Sequence, residues 1–157
     1  MKRIFFYFYY YAAIIAILIN PKVYMVLIVK AHKTAGVIFD GIPEYIDYHS
    51  HLDPSGGLTI GTGAVISTQV IILTHDWSFL KKMKAKGEEY TEMMHHEAFS
   101  SVDIGEESFI GAGAVVLPGT KTGKYSIVGA GAVVKGCFAD YSVIVGTPAK
   151  RIKDIRE

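Results

Sequence analysis

The amino-acid sequence predicts an all-β solenoid of parallel strands, with an apolar helical segment before it and one loop protruding from it. Three observations predict this arrangement: a six-residue period in the C-terminal half, an uncharged run near the N-terminus, and a polar insertion that breaks the period. A chain of 157 residues has the usual size of one domain. We expect the apolar segment at residues 1–34, the solenoid at 35–147 with its loop at 75–101, and a basic tail at 148–157.

The N-terminal segment begins with two basic residues, after which residues 4–19 are uncharged. A helix of that length reaches about 24 Å, which is short of the roughly 30 Å hydrocarbon core of a bilayer. A second apolar run follows at residues 23–29, so a helix kinked at Pro21 could still cross a membrane. Three arrangements stay open: a helix packed on the solenoid or on its own trimer, an interfacial anchor rich in Tyr and Phe, or a true span.

The six-residue period begins at residue 104 and also occurs upstream, from residue 60. It excludes an α-helix, because helical apolar residues recur every three or four positions and each glycine would weaken the helix by about 1 kcal/mol. Coils with three flat faces explain it, since aliphatic side chains fill a triangular core and small residues fit its corners. Residues 35–58 are expected to add at least one irregular coil. The predicted inward positions are Ile60, Ile66, Ile72, Ile104, Ile110, Val116, Thr122, Val128 and Val134, and the predicted corners are Ala64, Val70, Ser108, Ala114, Thr120, Ser126, Ala132 and Phe138.

The loop at residues 75–101 is polar and carries aromatic residues. A loop of this length in a compact repeat protein is usually functional or disordered. Its lysine run, residues 81–86, is either a solvated face or a contact with an anionic acceptor or membrane surface. Trp77 and Phe79 either form a wall for a sugar or fix the loop to a neighbouring subunit. The histidine pair at residues 95–96 is interpreted as loop surface or as acceptor contacts.

Charge and cysteine content exclude several classes of function. The formal net charge is +1, and no aromatic platform accompanies the lysine run, so we expect no nucleic-acid partner. The single cysteine, Cys137, cannot form an internal disulfide and offers no metal-binding spacing. These features favour a reducing, cytoplasmic location, with the inner face of the cytoplasmic membrane as the site of any peripheral contact.

Five stretches, GGLTIGTGAVIS, LTHD, SFIGAGAVVLPGTKTG, SIVGAGAVVKG and VGTPAKRI, occur in this order between residues 47 and 152. In them the chain resembles the hexapeptide-repeat acyltransferases, and within these the maltose/galactoside and capsule-sugar O-acetyltransferases. The resemblance implies a left-handed parallel β-helix, acetyl-CoA as cosubstrate, and a homotrimer with active sites at subunit interfaces. The N-terminal third does not match the helical domain of the sugar acetyltransferases, so the resemblance does not identify the acceptor.

The resemblance also assigns site residues. His75 in LTHD corresponds to the general base, and Asp47 stands where the family has an active-site asparagine. A carboxylate at Asp47 could orient His75 but cannot donate an amide hydrogen bond. Arg151 could compensate for glycine at a position where the family often has lysine. The residues that correspond to coenzyme A contacts are Ala112, Ala130, Lys135, Gly136, Lys150 and Lys153.

Direct acyl transfer needs a base that removes the proton from an acceptor hydroxyl, and histidine titrates in the right range. We therefore predict O-acetylation of a small or lipid-linked saccharide, in surface-polysaccharide synthesis. N-acetylation of an amino sugar, serine O-acetylation and a non-catalytic solenoid are the alternatives. We predict no metal, although His49, His51 and Asp53 could share one strand face as a metal or acceptor site.

Overall fold

The computed structural model describes residues 2–89, 91 and 96–157. It comprises an N-terminal helical hairpin, a parallel β-helix, and a loop that leaves the β-helix between its second and third coils. The helices are α1 (Lys2–Ile17), α2 (Pro21–Ala35) and α3 (Phe79–Lys86). The strands are β1 (Ile38–Phe39), β2 (Tyr45–Ile46), β3 (His51–Leu52), β4 (Leu58–Ile60), β5 (Val65–Ile66), β6 (Ile71–Ile72), β7 (Val102–Ile104), β8 (Phe109–Ile110), β9 (Val115–Val116), β10 (Lys121–Thr122), β11 (Ile127–Val128), β12 (Val133–Val134), β13 (Cys137–Phe138), β14 (Ser142–Gly146) and β15 (Ala149–Asp154).

The strands form three parallel sheets, which are the faces of the coil. Face 1 has the order β1-β4-β7-β10-β13, face 2 has β2-β5-β8-β11-β14, and face 3 has β3-β6-β9-β12. Each of the first four coils therefore contributes one short strand to every face, as the six-residue period predicts, and the last coil contributes β13 and β14 to faces 1 and 2. We call the corner between faces 2 and 3 the 2–3 edge, and the corner between faces 3 and 1 the 3–1 edge. Strands β1 to β3 form the expected irregular first coil.

The core confirms the predicted inward positions, all of which are buried. Thr122 is the polar member of this set, and its hydroxyl accepts a hydrogen bond from the Gly105 amide at 3.0 Å. The prediction for Phe138 is wrong, because this residue pairs with Thr122 on face 1 and so occupies an inward position. The chain passes from Val134 to Phe138 in four residues instead of six, and Ser142 becomes the buried corner residue of that coil.

The apolar N-terminal segment is a hairpin of two helices, so the single helix kinked at Pro21 is wrong. Asn20 caps α2, its side chain accepting from the Lys22 amide at 2.9 Å. Pro21 lies in the first helical turn, where its missing N–H costs no helical hydrogen bond. The hairpin packs on the first coil, where the Tyr24 hydroxyl donates to the Ile46 carbonyl. Among the described residues, no helix is both long enough and apolar enough to span a membrane.

The loop is closed at its base by an antiparallel bridge between His75 and Phe99. Two backbone bonds support this bridge, from the Asp76 amide to the Ala98 carbonyl at 2.7 Å and from the Ser100 amide to the Thr74 carbonyl at 2.9 Å. Between these ends the loop forms α3. Of the predicted surface pair at residues 95–96, the first lies outside the described residues and the second is exposed.

The C-terminal tail leaves the repeat and turns back along face 2. Strand β15 pairs antiparallel with β14. Arg156 then lies over the Tyr141 ring, 3.9 Å from its centre, and its Nε donates to Asp154 at 2.8 Å. The tail thus ends in a fixed position on the last coil.

Candidate active site

His75 lies on the 3–1 edge where the second coil gives way to the loop. Its Nδ1 is 2.6 Å from Oδ2 of Asp53 and 3.2 Å from the Ser55 hydroxyl oxygen. The His75 side chain is 36% exposed, whereas that of Asp53 is 8% exposed. The arrangement is a buried carboxylate supporting a histidine whose ring reaches solvent.

Asp53 accepts hydrogen bonds on both carboxylate oxygens. Oδ1 accepts from the amide and hydroxyl of Ser55 at 2.9 and 2.6 Å, and Oδ2 accepts from the amide and hydroxyl of Thr74 at 2.9 and 2.8 Å. Partial burial raises the pKa of Asp53, but these hydrogen bonds outweigh burial and hold it well below the ordinary range. Asp53 is therefore an anion at neutral pH.

An anionic Asp53 decides which ring nitrogen of neutral His75 carries the proton. A carboxylate only accepts hydrogen bonds, so Nδ1 must be the protonated nitrogen. The lone pair then lies on Nε2, on the far side of the ring. This tautomer is the one that can accept a proton at Nε2 while Asp53 stabilises the resulting imidazolium.

Coil stacking brings Asp53 and His75 together across 22 residues of sequence. Asp53 follows β3 and His75 follows β6, and these strands are neighbours on face 3. Between them, the Gly56 amide donates to the Thr74 hydroxyl at 2.8 Å. A Cβ at Gly56 would lie 2.2 Å from the Thr74 carbonyl oxygen, so this close approach requires glycine.

Asp47 lies on the 2–3 edge, one corner away from His75. Its carboxylate accepts from the His49 amide at 2.9 Å, faces His49 Nδ1 at 3.1 Å, and accepts from the Tyr45 hydroxyl at 3.1 Å. Burial raises its pKa, but the bonds from His49 and Tyr45 leave it below the ordinary value. The predicted pairing of Asp47 with His75 is therefore wrong within one chain, because a shift of six residues moves a side chain to the next edge.

The sequence contains a signal for Asp53 that the family correspondence does not use. Asp53 is followed two positions later by Ser55, the spacing at which an Asp side chain bonds a nearby amide. It also ends the strand directly below the one that ends at His75. For the alternative grouping of Asp53 with His49 and His51, the described part of the chain shows no cluster of three His, Cys, Asp or Glu side chains that could hold a metal ion.

The predicted coenzyme A contacts divide between the two edges. Ala112 and Ala130 lie on the 2–3 edge in successive coils, both exposed, with the Gly131 amide donating to the Ala112 carbonyl at 2.9 Å. Lys135 and Gly136 lie on the 3–1 edge, two coils beyond His75 and thus roughly 10 Å along the solenoid. Lys150 and Lys153 are exposed on β15, which also carries Arg151.

Lys135 is electrostatically linked to the residue beside the proposed base. The Asp76 carboxylate accepts from the Ser78 amide at 2.8 Å. That hydrogen bonding is the main reason why the pKa of Asp76 is lowered, and the positive charge of Lys135 lowers it further. A predicted cofactor contact thus lies on the same edge as the proposed base, within electrostatic range of the residue next to it.

Aromatic rings of the loop border His75. The Phe99 ring lies 6.2 Å from the His75 ring, and the Trp77 ring lies 5.7 Å from Phe99 and 6.0 Å from Phe79, measured between centres. Trp77 is exposed. The aromatic rings therefore lie beside the histidine, where either predicted role, a wall for a sugar or a contact with a neighbouring subunit, would place them next to the proposed base.

The outer surfaces of the three faces differ in polarity. Face 1 carries ion pairs, Asp103 with Lys121 at 2.8 Å among them. Apart from the exposed His51 of β3 on face 3, faces 2 and 3, which meet at the 2–3 edge, present apolar side chains outward. These are Tyr45, Val65, Phe109 and Ile127 on face 2, and Ile71, Val115 and Val133 on face 3.

Comparison with known proteins agrees with this architecture. Residues 101–136 match the family model described as bacterial transferase hexapeptide (six repeats). The chain is 34% identical over 119 residues to WbbJ of Escherichia coli strain K12, a protein named for O-acetyl transfer in lipopolysaccharide biosynthesis. The alignment covers 75% of this chain and 61% of WbbJ, so the chain spans less than two thirds of that relative.

Two solved structures share the fold along nearly the whole chain. A galactoside acetyltransferase in complex with coenzyme A superposes with a TM-score of 0.64 at 20% identity, over 98% of this chain and 80% of the other. A hexapeptide-repeat acetyltransferase of Vibrio cholerae O1 biovar eltor complexed with acetyl-CoA gives 0.63 at 16% identity, over 99% and 88%. The family match over residues 101–136, the similarity to WbbJ and the shared fold show that the chain carries hexapeptide repeats similar to those of bacterial transferases.

Proposed function

We propose that the chain is an acetyl-CoA-dependent O-acetyltransferase that acts on a hydroxyl of a saccharide in surface-polysaccharide synthesis. The observation that carries this proposal is the Asp53–His75 pair, with its 2.6 Å contact at the base of the loop. The similarity to WbbJ supports O-acetyl transfer, and the acetyltransferase structures that hold coenzyme A or acetyl-CoA support the cosubstrate.

In the proposed reaction, Nε2 of His75 removes the proton from the acceptor hydroxyl as its oxygen attacks the acetyl carbon. The new C–O bond forms, the C–S bond of the thioester breaks, and the coenzyme A thiolate takes the proton from the imidazolium. Asp53 holds the ring and stabilises its positive charge throughout. Acetyl-CoA supplies the activated acyl group, so no acyl-enzyme is needed.

The residues of this chain suit coenzyme A. Alanine at positions 112 and 130 leaves space beside the 2–3 edge for the slender pantetheine arm. Lys150 and Lys153 supply positive charge near the last coil, and Arg151 adds to it. A cationic cluster at one end of a small-residue edge matches the charge distribution of coenzyme A.

We further propose a homotrimer whose active sites lie between subunits. A slim solenoid has no internal cleft long enough for coenzyme A, and the site residues are divided between two edges. In the trimer, His75 and Lys135 of one subunit would face Ala112, Ala130 and Asp47 of its neighbour. The apolar outer sides of faces 2 and 3 support burial at such an interface, while the ion-paired face 1 would remain in water.

The experiment measures the free thiol released from acetyl-CoA in the presence of a panel of neutral and amino sugars. It compares the unaltered protein with the His75→Ala variant. The proposal requires release with a neutral saccharide, loss of release in the variant, and an acetyl product that mild alkali removes, as it removes esters but not amides. Lys121→Ala, an exposed residue of face 1 that the proposed interface leaves in water, is the control. Transfer only to amino sugars would overturn O-acetylation, and an unaffected His75→Ala variant would overturn the mechanism.

A further inference from the structure

The N-terminal hairpin carries a broad apolar surface that faces away from the solenoid. On α1 and the turn after it, exposed side chains recur every three or four residues and so form one stripe. Leu18, at the turn, is 88% exposed. A continuous apolar surface of this kind marks an interaction site. The stripe consists of Ile4, Phe8, Tyr11, Ile15 and Leu18, and Phe5, Tyr7, Ile19, Val23 and Val26 extend it.

The hairpin cannot turn this surface inward, because its other side is already fixed to the first coil. The Tyr10 hydroxyl donates to the Tyr48 carbonyl at 2.6 Å, and Tyr24 and Ile28 of α2 are buried in the core. A groove of about 830 Å³ between α2 and the first coil adjoins the surface and shares Val26 with it. The apolar surface therefore belongs to the folded chain.

Charge is strongly segregated between the hairpin and the rest of the chain. Residues 1–39 contain five basic residues and no acidic residue, whereas residues 40–157 contain eleven basic and fifteen acidic residues. Lys2 and Arg3 line a cavity with the end of α2, so the start of α1 and the end of α2 lie together. Lys30 and Lys33 are exposed near that end. Four of the five basic residues thus lie at one end of the hairpin and Lys22 lies near the turn at the other, with the apolar stripe running along α1 between them.

We infer that the outer face of the hairpin binds the surface of an anionic lipid bilayer. An apolar stripe with tyrosines and a basic rim suits the boundary between acyl chains and headgroups. The apolar stripe would enter the acyl boundary, and Lys2, Arg3, Lys30 and Lys33 would contact the headgroups. At about 24 Å, α1 would lie in the interface without crossing it.

The charge pattern distinguishes a bilayer from a second copy of the chain. Residues 1–39 contain no acidic side chain, so a contact between two hairpins would bring their basic residues together without a counter-charge. An anionic bilayer offers the complementary charge. The inference does not depend on acetyl transfer, so it can fail or hold independently of the proposed reaction.

The test is co-sedimentation of the full chain with vesicles of phosphatidylcholine containing phosphatidylglycerol, and with vesicles of phosphatidylcholine alone. We expect binding to the anionic vesicles, weakened by salt, and a loss of at least about tenfold in partitioning for the double variant Phe8→Asp, Leu18→Asp. Ile152→Asp, an exposed apolar residue of β15 far from the hairpin, is the matched control and should bind like the unaltered chain.

A charge-reversed variant, Lys2→Glu with Arg3→Glu, guards against a folding defect in the apolar variant. Compared with the unaltered chain, this variant should bind neutral vesicles no better and anionic vesicles at least about tenfold more weakly. The reason is that each basic residue contributes about 1 kcal/mol at an anionic surface. Failure of the unaltered chain to bind anionic vesicles would overturn the inference. So would equal binding by all variants, or a hairpin variant whose sedimentation shows only the loss of a self-associated form.

Discussion

Asp53–His75 and Asp47–His49 are two carboxylate–histidine pairs whose carboxylates lie at neighbouring edges of the irregular first coil. In each, a carboxylate oxygen approaches Nδ1 of the ring, at 2.6 Å for Asp53 and 3.1 Å for Asp47. The first pair joins two coils across 22 residues, whereas the second joins residues two apart within one turn. The comparison shows that, in this repeat, a carboxylate and a histidine can pair either because they are close in sequence or because neighbouring coils stack.

The two pairs also differ in how tightly their surroundings hold them. Asp53 accepts four further hydrogen bonds from Ser55 and Thr74. The His49 ring is 54% exposed and is held mainly by its own turn. Preorganisation of this degree is typical of a functional group that must keep one orientation. The Asp53–His75 pair is therefore the one that the proposed chemistry uses, at the 3–1 edge.

The largest expected effect is the loss of transfer in His75→Ala. Removing the base should lower kcat by about 10³-fold or more. The melting temperature should change little, because the His75 ring is partly exposed at a loop boundary. Thiol release and thermal unfolding measure the two quantities on the same preparation. An equally large loss in His49→Ala would make the two pairs equivalent and contradict the comparison.

The next effect is expected for Asp53→Asn, which preserves shape while removing the charge. One carboxylate oxygen becomes an NH₂ group that meets the donors of Ser55 or Thr74, so the ring support weakens. We expect kcat to fall about 100-fold with the KM for acetyl-CoA unchanged. Because Asp53 acts by positioning, ¹⁵N NMR of the His75 ring should show proton density moving from Nδ1 to Nε2.

Asp103→Asn on the polar face is the matched control for Asp53→Asn. It should alter neither the kinetics nor the His75 tautomer, since Asp103 forms a surface ion pair with Lys121. If Asp53→Asn reduces only thermal stability and leaves the tautomer unchanged, Asp53 is a structural residue.

His32 extends the comparison to a histidine without a carboxylate. Both its ring nitrogens lack a hydrogen-bond partner in the part of the chain that the structure describes. Burial, followed by repulsion from His51, lowers its pKa from 6.5 to about 4. Between pH 6.5 and about 4, His32 is therefore protonated in the unfolded chain but neutral in the folded chain. The free energy of unfolding consequently falls as the pH decreases through this range.

We expect His32 to reduce the free energy of unfolding by up to about 3 kcal/mol between pH 6.5 and 4. Urea unfolding at several pH values measures this change in the free energy of unfolding. In His32→Leu this component should disappear, so the variant should gain stability relative to the unaltered chain as the pH falls from 6.5 to 4. Parallel curves would mean that other groups cause the acid sensitivity.

Most of the coil could be predicted from sequence because a six-residue period encodes each face directly. The inward aliphatic positions follow from it, and so does the base of the loop, where the period stops. Phe138 could not be placed, because a two-residue deletion resets the register and only strand pairing reveals it. Asp53 could not be predicted for a related reason. Its partner His75 comes from the next coil, and extra residues in that coil make the separation of 22 residues differ from a multiple of six.

The smallest expected effect concerns Asp47, and it tests whether the 2–3 edge takes part at all. If Asp47 of one subunit faces the site of its neighbour, Asp47→Ala should raise the KM for the acceptor by up to about tenfold while the His75 tautomer stays unchanged. The variant also removes the acceptor for the His49 amide and the Tyr45 hydroxyl, so some stability, about 1 kcal/mol, should be lost. His49→Ala separates these effects, because it disturbs the ring contact and keeps the carboxylate. A kinetic change in Asp47→Ala that is absent from His49→Ala would place the 2–3 edge at the acceptor. Identical kinetics in both variants and the unaltered chain would confine the site to the 3–1 edge, with Asp47 serving only its own turn.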